Sequence, residues 1–277
     1  MRLIKTNFEI WEQPTGLEGM YKQIELIGRV CTKSEDKITD TSAKEFVEKM
    51  IKLNHGAVLE HGSIYLYIDY HDPSFNKVID RYANNKYSKC NYFPTFPNKA
   101  YISSNLRVLI ENDWLDDLKY LCEPTKFHEK RICVKFVLPI GISREFCRHR
   151  TFSFMELSTR YVNMSGDKVG NEITFIKPAF KPDFIGSAAY YEWEIALMNA
   201  EASYNNLIKA GLKPQVARGV LPLDTKTELY MTGFISDWKH FFRLRSRIAE
   251  TGKPHPQAQE LADLLMDEFI KREYINE

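Results

Sequence analysis

Arg148, His149 and Arg150 are followed closely by Glu156, Ser158 and Arg160 in the stretch RHRTFSFMELSTRY. Guanidinium groups, an imidazole, a carboxylate and hydroxyls are thereby gathered in a short span. An arginine keeps its charge at any ordinary pH, and its planar fork matches the oxygens of phosphate and carboxylate. Such a cluster is costly unless an anion sits in it, so these residues point to an anionic ligand, with a phosphorylated molecule the natural choice. Taken singly, each arginine could belong to a solvated basic loop, or pair internally with Glu145 or Glu156. The cluster as a whole, flanked by apolar residues on both sides, favours a ligand site.

Glu156, Ser158 and Arg160 alternate, so an extended backbone would put an acceptor, a hydroxyl and a cation on one face. Ser158 would need an activating base to act as a nucleophile, and the sequence supplies none beside it, which favours a binding role. Arg218 lies in an apolar stretch between Val216-Ala217 and Gly219-Val220-Leu221, where pairing with a carboxylate at the core edge is the plain alternative. Arg245 follows Phe241 by four residues on an aromatic-rich segment, and a buried arginine there needs an anionic partner. Glu60-His61 stands between a helix end and a strand; by itself it reads as a surface glutamate and a satisfied histidine.

The elements that must position these groups are readable in outline. Residues 2–12 predict an edge strand and 18–31 a helix. Ser42 and Glu45 suggest a capping box opening a helix with Phe46, Val47, Met50 and Ile51 on one face, closed near Gly56. Residues 63–69 predict a strand, 70–100 an irregular insertion, 104–121 a helix and 131–137 a strand. Pro139 and Gly141 break that strand, and Ser143 is placed to cap a helix running toward Arg148. Residues 151–170 read as loop and turn, 171–176 as a short strand and 188–210 as a long helix. Pro214 suits the first turn of a helix carrying Arg218, 226–233 are extended, Ser236 could cap the helix of His240 and Arg245, and Pro256 opens a last helix to about 272. Long helices and short strands without βαβ alternation predict an α+β fold with a mixed sheet. A G-x-G-x-x-G fingerprint and a Walker loop are both lacking, which excludes a Rossmann unit. The reading is one domain over 1–277.

Composition narrows the function. A net charge of +1 from 38 basic and 37 acidic residues argues against a general nucleic-acid binder and for a small anionic ligand. Five cysteines without a CxxC pair argue against a disulfide framework or structural zinc and for reduced thiols in the cytoplasm. No apolar run reaches the roughly 18 residues a membrane span needs, so no membrane role is expected. No metal site is expected either.

The pattern Arg-His-Arg, seven residues, Ser resembles the signature of flavin-dependent thymidylate synthases, with TFSFMEL as the spacer and Ser158 as the serine. NHGAVLEH at 54–61, RICVKFVLPIGISREFCRHR at 131–150, QVARGVLP at 215–222, WKHFFRLR at 238–245 and HPQAQELA at 255–262 resemble further segments of that family, in family order. The resemblance implies a homotetramer with sites built across subunits. The reaction it implies is conversion of dUMP to dTMP, with methylene-tetrahydrofolate and NADPH as co-substrates and FAD between them. It implies that His61, Ser63 and His240 contact the flavin. Arg148, His149 and Arg150 would be divided between flavin and nucleotide, since neighbours on a helix end cannot all face one way. Glu156, Leu157, Ser158, Thr159 and Arg160 would grip dUMP, with Arg160 on its phosphate and Glu156 reaching toward the flavin. Arg218 would bind substrate, and Glu145, where many members carry Gln, would meet the uracil. Arg245 would be catalytic, stabilising negative charge that develops on the uracil ring. Met155, Gln215 and Phe234-Ile235-Ser236 also depart from the family pattern. Cys147 lacks the Pro-Cys-His setting of the unrelated cysteine-dependent enzyme and reads as a packing residue. A nucleotide- or RNA-binding module and a flavin reductase without methyl transfer are the competing classes.

Overall fold

Strands β6 (Arg131–Pro139) and β9 (Lys226–Phe234) form the centre of the structure, a computed structural model describing residues 1–93, 99–179 and 184–276. They pair antiparallel, Val134 opposite Met231, with β2 (Asn7–Trp11) on one edge and β7 (Ser153–Glu156) on the other. Alternation sends Ile132, Val134, Phe136 and Leu138 to one face, where with Leu229 and Met231 they pack against Trp238, Phe241 and Phe242 of α9 (Ile235–Arg245) and Leu261, Leu265 and Phe269 of α10 (Pro256–Lys271). The opposite face puts Cys133 and Tyr230 against Ile27, Val30 and Cys31, at the end of α1 (Gly16–Val30).

A second antiparallel sheet contains β3 (Ser63–Asp69), β5 (Lys99–Asn105) and β4 (Lys89–Phe93), in that order. It shares a core with α1, α2 (Ser42–Lys52), α4 (Phe75–Ala83) and α5 (Leu106–Glu111). A parallel pair, β1 (Arg2–Ile4) with β8 (Thr174–Ile176), lies beside α7 (Ala188–Lys209) and α8 (Pro214–Ala217). The α+β class is therefore as expected, with parallel and antiparallel pairings both present.

Several local expectations are corrected. The predicted edge strand is two strands: β2 is an edge strand, while β1 leaves to pair with β8. Ser42 does not cap α2; its hydroxyl donates to Glu25 Oε2 at 2.8 Å. Gly56 opens α3 (Gly56–Leu59) rather than closing α2, and the left-handed residue after α2 is Asn54, φ 53°. The irregular insertion contains α4, β4 and the start of β5; residues 94–98 of it lie outside the described residues. The helix expected at 104–121 is α5 and a 3-10 turn at Leu115–Tyr120, separated around Asp113, which adopts φ 57°. Residues 153–156, read as loop, are β7. Helix α9 starts at Ile235, where Asp237 rather than Ser236 caps it by accepting from the Phe234 N–H.

Candidate functional site

Helix α6 (Ile140–Phe146) follows β6 directly, and α9 follows β9 from the opposite end of the same sheet. Running back over the sheet, α9 meets the C-terminal end of α6. Arg245 Nη1 donates to Glu145 Oε2 at 2.9 Å, Nη2 to the Glu145 carbonyl at 3.1 Å and Nε to His149 Nε2 at 3.1 Å. A cation at the end of a helix also answers its free carbonyls and the negative end of its dipole. His149 is 8% exposed and rests on Phe241, ring centroids 5.0 Å apart. Burial first, then the charge of Arg245 and nearby His240, pushes His149 down to about 4. It is neutral at pH 7, and because Nε2 accepts from Arg245, its proton belongs on Nδ1. Arg148 and Arg150 are exposed and make no ion pair among the described residues. With His240, Arg245 and the loop of Thr251, Gly252 and Lys253 they line a cleft of about 550 Å³.

Arg150 and Thr151 also line a neighbouring cleft of about 630 Å³, walled by Tyr87, Phe152 and Phe234. At its base is Arg131, 8% exposed, donating to the Glu60 carbonyl at 2.9 Å, Ser63 Oγ at 3.3 Å and Ser153 Oγ at 3.2 Å. Among the described residues Arg131 has no carboxylate partner at ion-pair distance; burial lowers its affinity for its proton. A buried guanidinium held by neutral oxygens alone, facing a cleft, suits an incoming anion. In the sequence Arg131 is only a charge at the head of an apolar run that predicts a strand. His61, 1% exposed, lies beneath this region with Nδ1 2.8 Å from Thr232 Oγ1, and burial, then Arg131, pushes it down to about 3. Ser63 is buried as an acceptor for Arg131.

The third group sits at the end of β7. Ser143, expected as a helix cap, instead donates to Glu156 Oε1 at 2.8 Å, fixing that carboxylate to α6. Beyond Glu156 the backbone hands Leu157 N–H to the Glu228 carbonyl and Ser158 N–H to the Cys31 carbonyl, then turns, with Val162 N–H on the Ser158 carbonyl. The alternation stops there, so Glu156, Ser158 and Arg160 do not form one extended row. Arg160 is exposed in the turn, its Nε on Gln215 Oε1 at 3.3 Å. Arg218, exposed at the end of α8, donates from Nη1 to Thr159 Oγ1 at 3.1 Å. Among the described residues neither arginine meets a carboxylate, and no imidazole or carboxylate hydrogen-bonds the Ser158 hydroxyl.

The structure thus brings Glu145, Arg148, His149, Arg150, His240 and Arg245 together, and separately gathers Leu157, Ser158, Thr159, Arg160 and Arg218. Glu156 is tied to the first set through Ser143, while His61 and Ser63 are packed beneath Arg131. Cys147 is exposed rather than the packing residue expected; desolvation of its sulfur, then Glu156, nevertheless pushes the thiol up to about 11, so it is no thiolate nucleophile at neutral pH. The arrangement can hold oxyanions and place a fixed positive charge against a developing negative one. His255 accepts from the Gln257 N–H at 3.3 Å as the cap of α10. Among the described residues no group of His, Cys, Asp or Glu could hold a metal, and no helix is long and apolar enough to cross a membrane.

Residues 98–272 match the family described as thymidylate synthase complementing protein. The chain is 29% identical over 138 residues to a probable flavin-dependent thymidylate synthase of Paramecium bursaria Chlorella virus 1, covering 47% of this chain and 62% of that protein. It is 29% identical over 132 residues to the flavin-dependent thymidylate synthase of Pyrococcus abyssi, covering 47% and 50%, and 30% identical over 126 residues to that of Synechocystis, covering 42% and 56%. The matched stretches span between half and about three-fifths of these relatives. Among solved structures, a UMP/dUMP methylase PolB from Streptomyces cacaoi bound with 5-Br dUMP aligns over 98% of this chain and 93% of that one, at 18% identity and a TM-score of 0.46, too loose a likeness to argue from.

Proposed function

The chain belongs to the family of thymidylate synthase complementing proteins, and from that premise we propose that it converts dUMP to dTMP, with methylene-tetrahydrofolate as carbon donor, NADPH as reductant and FAD as hydride carrier. We take the chain as one domain acting in the cytoplasm, where its five free thiols stay reduced. The observation that carries the reading is the division of the arginines into two half-sites: Arg245 on internal partners in one, Arg160 and Arg218 on neutral oxygens in the other.

The residues present fit the flavin. The cleft between Arg150 and Arg131 combines a buried guanidinium that has no carboxylate at ion-pair distance with aromatic walls, as a dinucleotide's phosphates and rings require, and of the carboxylates that also line it Glu60 and Glu111 are paired with Arg107. Arg148, His149, Arg150, Glu156 and His240 would hold it, with His61 and Ser63 shaping the floor through Thr232 and Arg131. When bound, FAD supplies the hydride that completes the methyl group.

The chain's own residues do the rest. Arg160 and Arg218 take the dUMP phosphate by exchanging their neutral partners for it. Ser158, with the Leu157 and Thr159 backbone, fixes the nucleotide's register. Arg245 stabilises the negative charge that builds on the uracil, and neutral His149 holds its Nε in place while Glu145 meets the ring. Arg148 neutralises charge at the edge of the same cleft.

The same division supports a homotetramer with sites across subunits. Tyr191, Ile195 and Met198 form an exposed apolar stripe on α7, and Val216, Val220 and Leu223 are exposed around Arg218. A second copy covering that face would carry Arg160 and Arg218 to the Arg245 cleft of its neighbour. The direct test is tritium release from C5-labelled dUMP by the purified protein, with methylene-tetrahydrofolate and NADPH, with and without FAD. FAD-dependent release is expected; no release from folded protein would overturn the assignment.

A further inference from the structure

Behind the Leu157 backbone, beside β8, lies a cleft of about 280 Å³ lined by Arg2, Lys33, Lys168, Lys226 and Glu228. Glu228 is 5% exposed and draws three lysines: Lys33 Nζ at 2.9 Å and Lys226 Nζ on Oε1, and Lys135 Nζ 3.6 Å from Oε2. Lys168 Nζ donates to the Lys33 carbonyl at 2.8 Å and stands 3.7 Å from Asp36, while Lys33 lies 3.8 Å from Glu35. The cleft lining thus sets Arg2, Lys33, Lys168 and Lys226 against Glu228, with Glu35 and Asp36 at its edge, an excess of one positive charge.

That excess sits in a partly enclosed space. Burial, opposed by Glu228, lowers the Lys226 ammonium from its usual range. Burial also works against the Glu228 carboxylate, yet Lys226 and Lys33 hold it down at about 2, so its charge is already fully committed. Lys33 is the left-handed residue that closes α1, φ 51°, with its N–H on the Val30 carbonyl and the Ser34 N–H on the Arg29 carbonyl. In that conformation its amine reaches Glu228 while its carbonyl receives Lys168.

We propose that this cleft binds a phosphate group as the dianion, gripped by Lys33, Lys168, Lys226 and Arg2. It is a site separate from the Arg160 and Arg218 half-site. Its ligand would tie β1, the Lys168 turn and β9 together behind Leu157, the residue next to Ser158. The phosphate could arrive free or on a nucleotide; the recognition is the same.

Calorimetric titration of the FAD-loaded full chain with inorganic phosphate tests this, performed in an Arg160→Ala/Arg218→Ala background so that neither the other half-site nor the Arg131 and Arg148 clefts can report. Saturable binding of one phosphate per chain is expected. Lys168→Ala, an exposed change that leaves the Glu228 cluster intact, should weaken it at least about tenfold, the loss of one charge-assisted hydrogen bond. Lys226→Met should abolish it. Absence of saturable binding, or binding that Lys168→Ala leaves unchanged, overturns the proposal. Parallel titrations with NADPH and NADH assign the source: a preference for NADPH that Lys168→Ala removes marks a nucleotide-borne phosphate, and binding of both dinucleotides that Lys168→Ala leaves unchanged, while free phosphate binding falls, marks the free ion.

Discussion

The two arginine half-sites treat a charged side chain in opposite ways. Arg245 is half-buried, and all three of its guanidinium nitrogens are engaged by Glu145 and His149. Arg160 and Arg218 are exposed, each resting on one neutral oxygen. A guanidinium with internal partners is oriented before any ligand arrives, so little ordering entropy is lost when charge develops beside it. One held by a single neutral bond exchanges that bond readily for an anion but must be ordered by it. The first region is built to place a charge, the second to capture one.

The largest expected effect breaks the first region. Arg245→Ala should lower turnover by about 10²–10³ or more, the cost of removing one preorganised charge donor, while flavin fluorescence still reports bound FAD. Near-normal tritium release from this variant would mean that Arg245 is not catalytic. Next in size, Arg218→Ala should weaken dUMP binding about ten- to a hundredfold, the loss of a charge-assisted contact. Its urea midpoint should barely move, because Arg218 is exposed; a large stability loss would show a packing role instead.

Ser158→Ala is a smaller perturbation. Loss of one neutral hydrogen bond should raise the Kd for dUMP by a few-fold to about tenfold and leave residual activity. Complete loss of activity at unchanged dUMP affinity would reinstate Ser158 as a nucleophile.

The pH response sharpens the comparison through His149. Its folded pKa of about 4 lies below the ordinary value of 6.5, so on acidification the unfolded chain binds a proton first. The associated stability is complete above about 6.5 and is lost as pH falls toward 4, at no more than about 1.4 kcal/mol per pH unit. His61, pushed down to about 3, contributes in the same direction. Urea unfolding at pH 7 and 5 should show a smaller pH difference in His149→Gln than in the unaltered chain; an identical difference would place the effect elsewhere.

What was legible before the structure followed from local signals. Helix α7 was legible as a helical pattern over 188–210, and the start of α10 from Pro256 at its first turn. Strand β3 was bounded correctly by its run of Ile and Tyr. Helix α4 was missed although Phe75, Val78 and Tyr82 share a buried face, because Pro and Asn around them read as loop. Among the functional groups, the clustering of Arg148, His149 and Arg150 at a helix end was readable from their position alone. The engagement of Arg245 by Glu145 and His149 was not, since nearly a hundred residues separate them and only the β6–β9 pairing makes them neighbours. Nor was the role of Ser143, whose hydroxyl serves Glu156 rather than a helix end. Arg131 escaped notice because a buried arginine and a surface arginine look alike in sequence.

Subunit complementation tests the central claim that one site is assembled from both half-sites on different copies. Arg245→Ala and Arg160→Ala/Arg218→Ala proteins, each inactive at low dUMP, are unfolded, mixed in equal amounts and refolded together. If the halves come from different copies, tritium release should return to about a quarter of the wild-type value, the fraction of sites that random assembly leaves with both halves intact. A mixture that stays inactive, while each variant alone keeps its fold and assembly, would contradict the account and place the whole site within one chain.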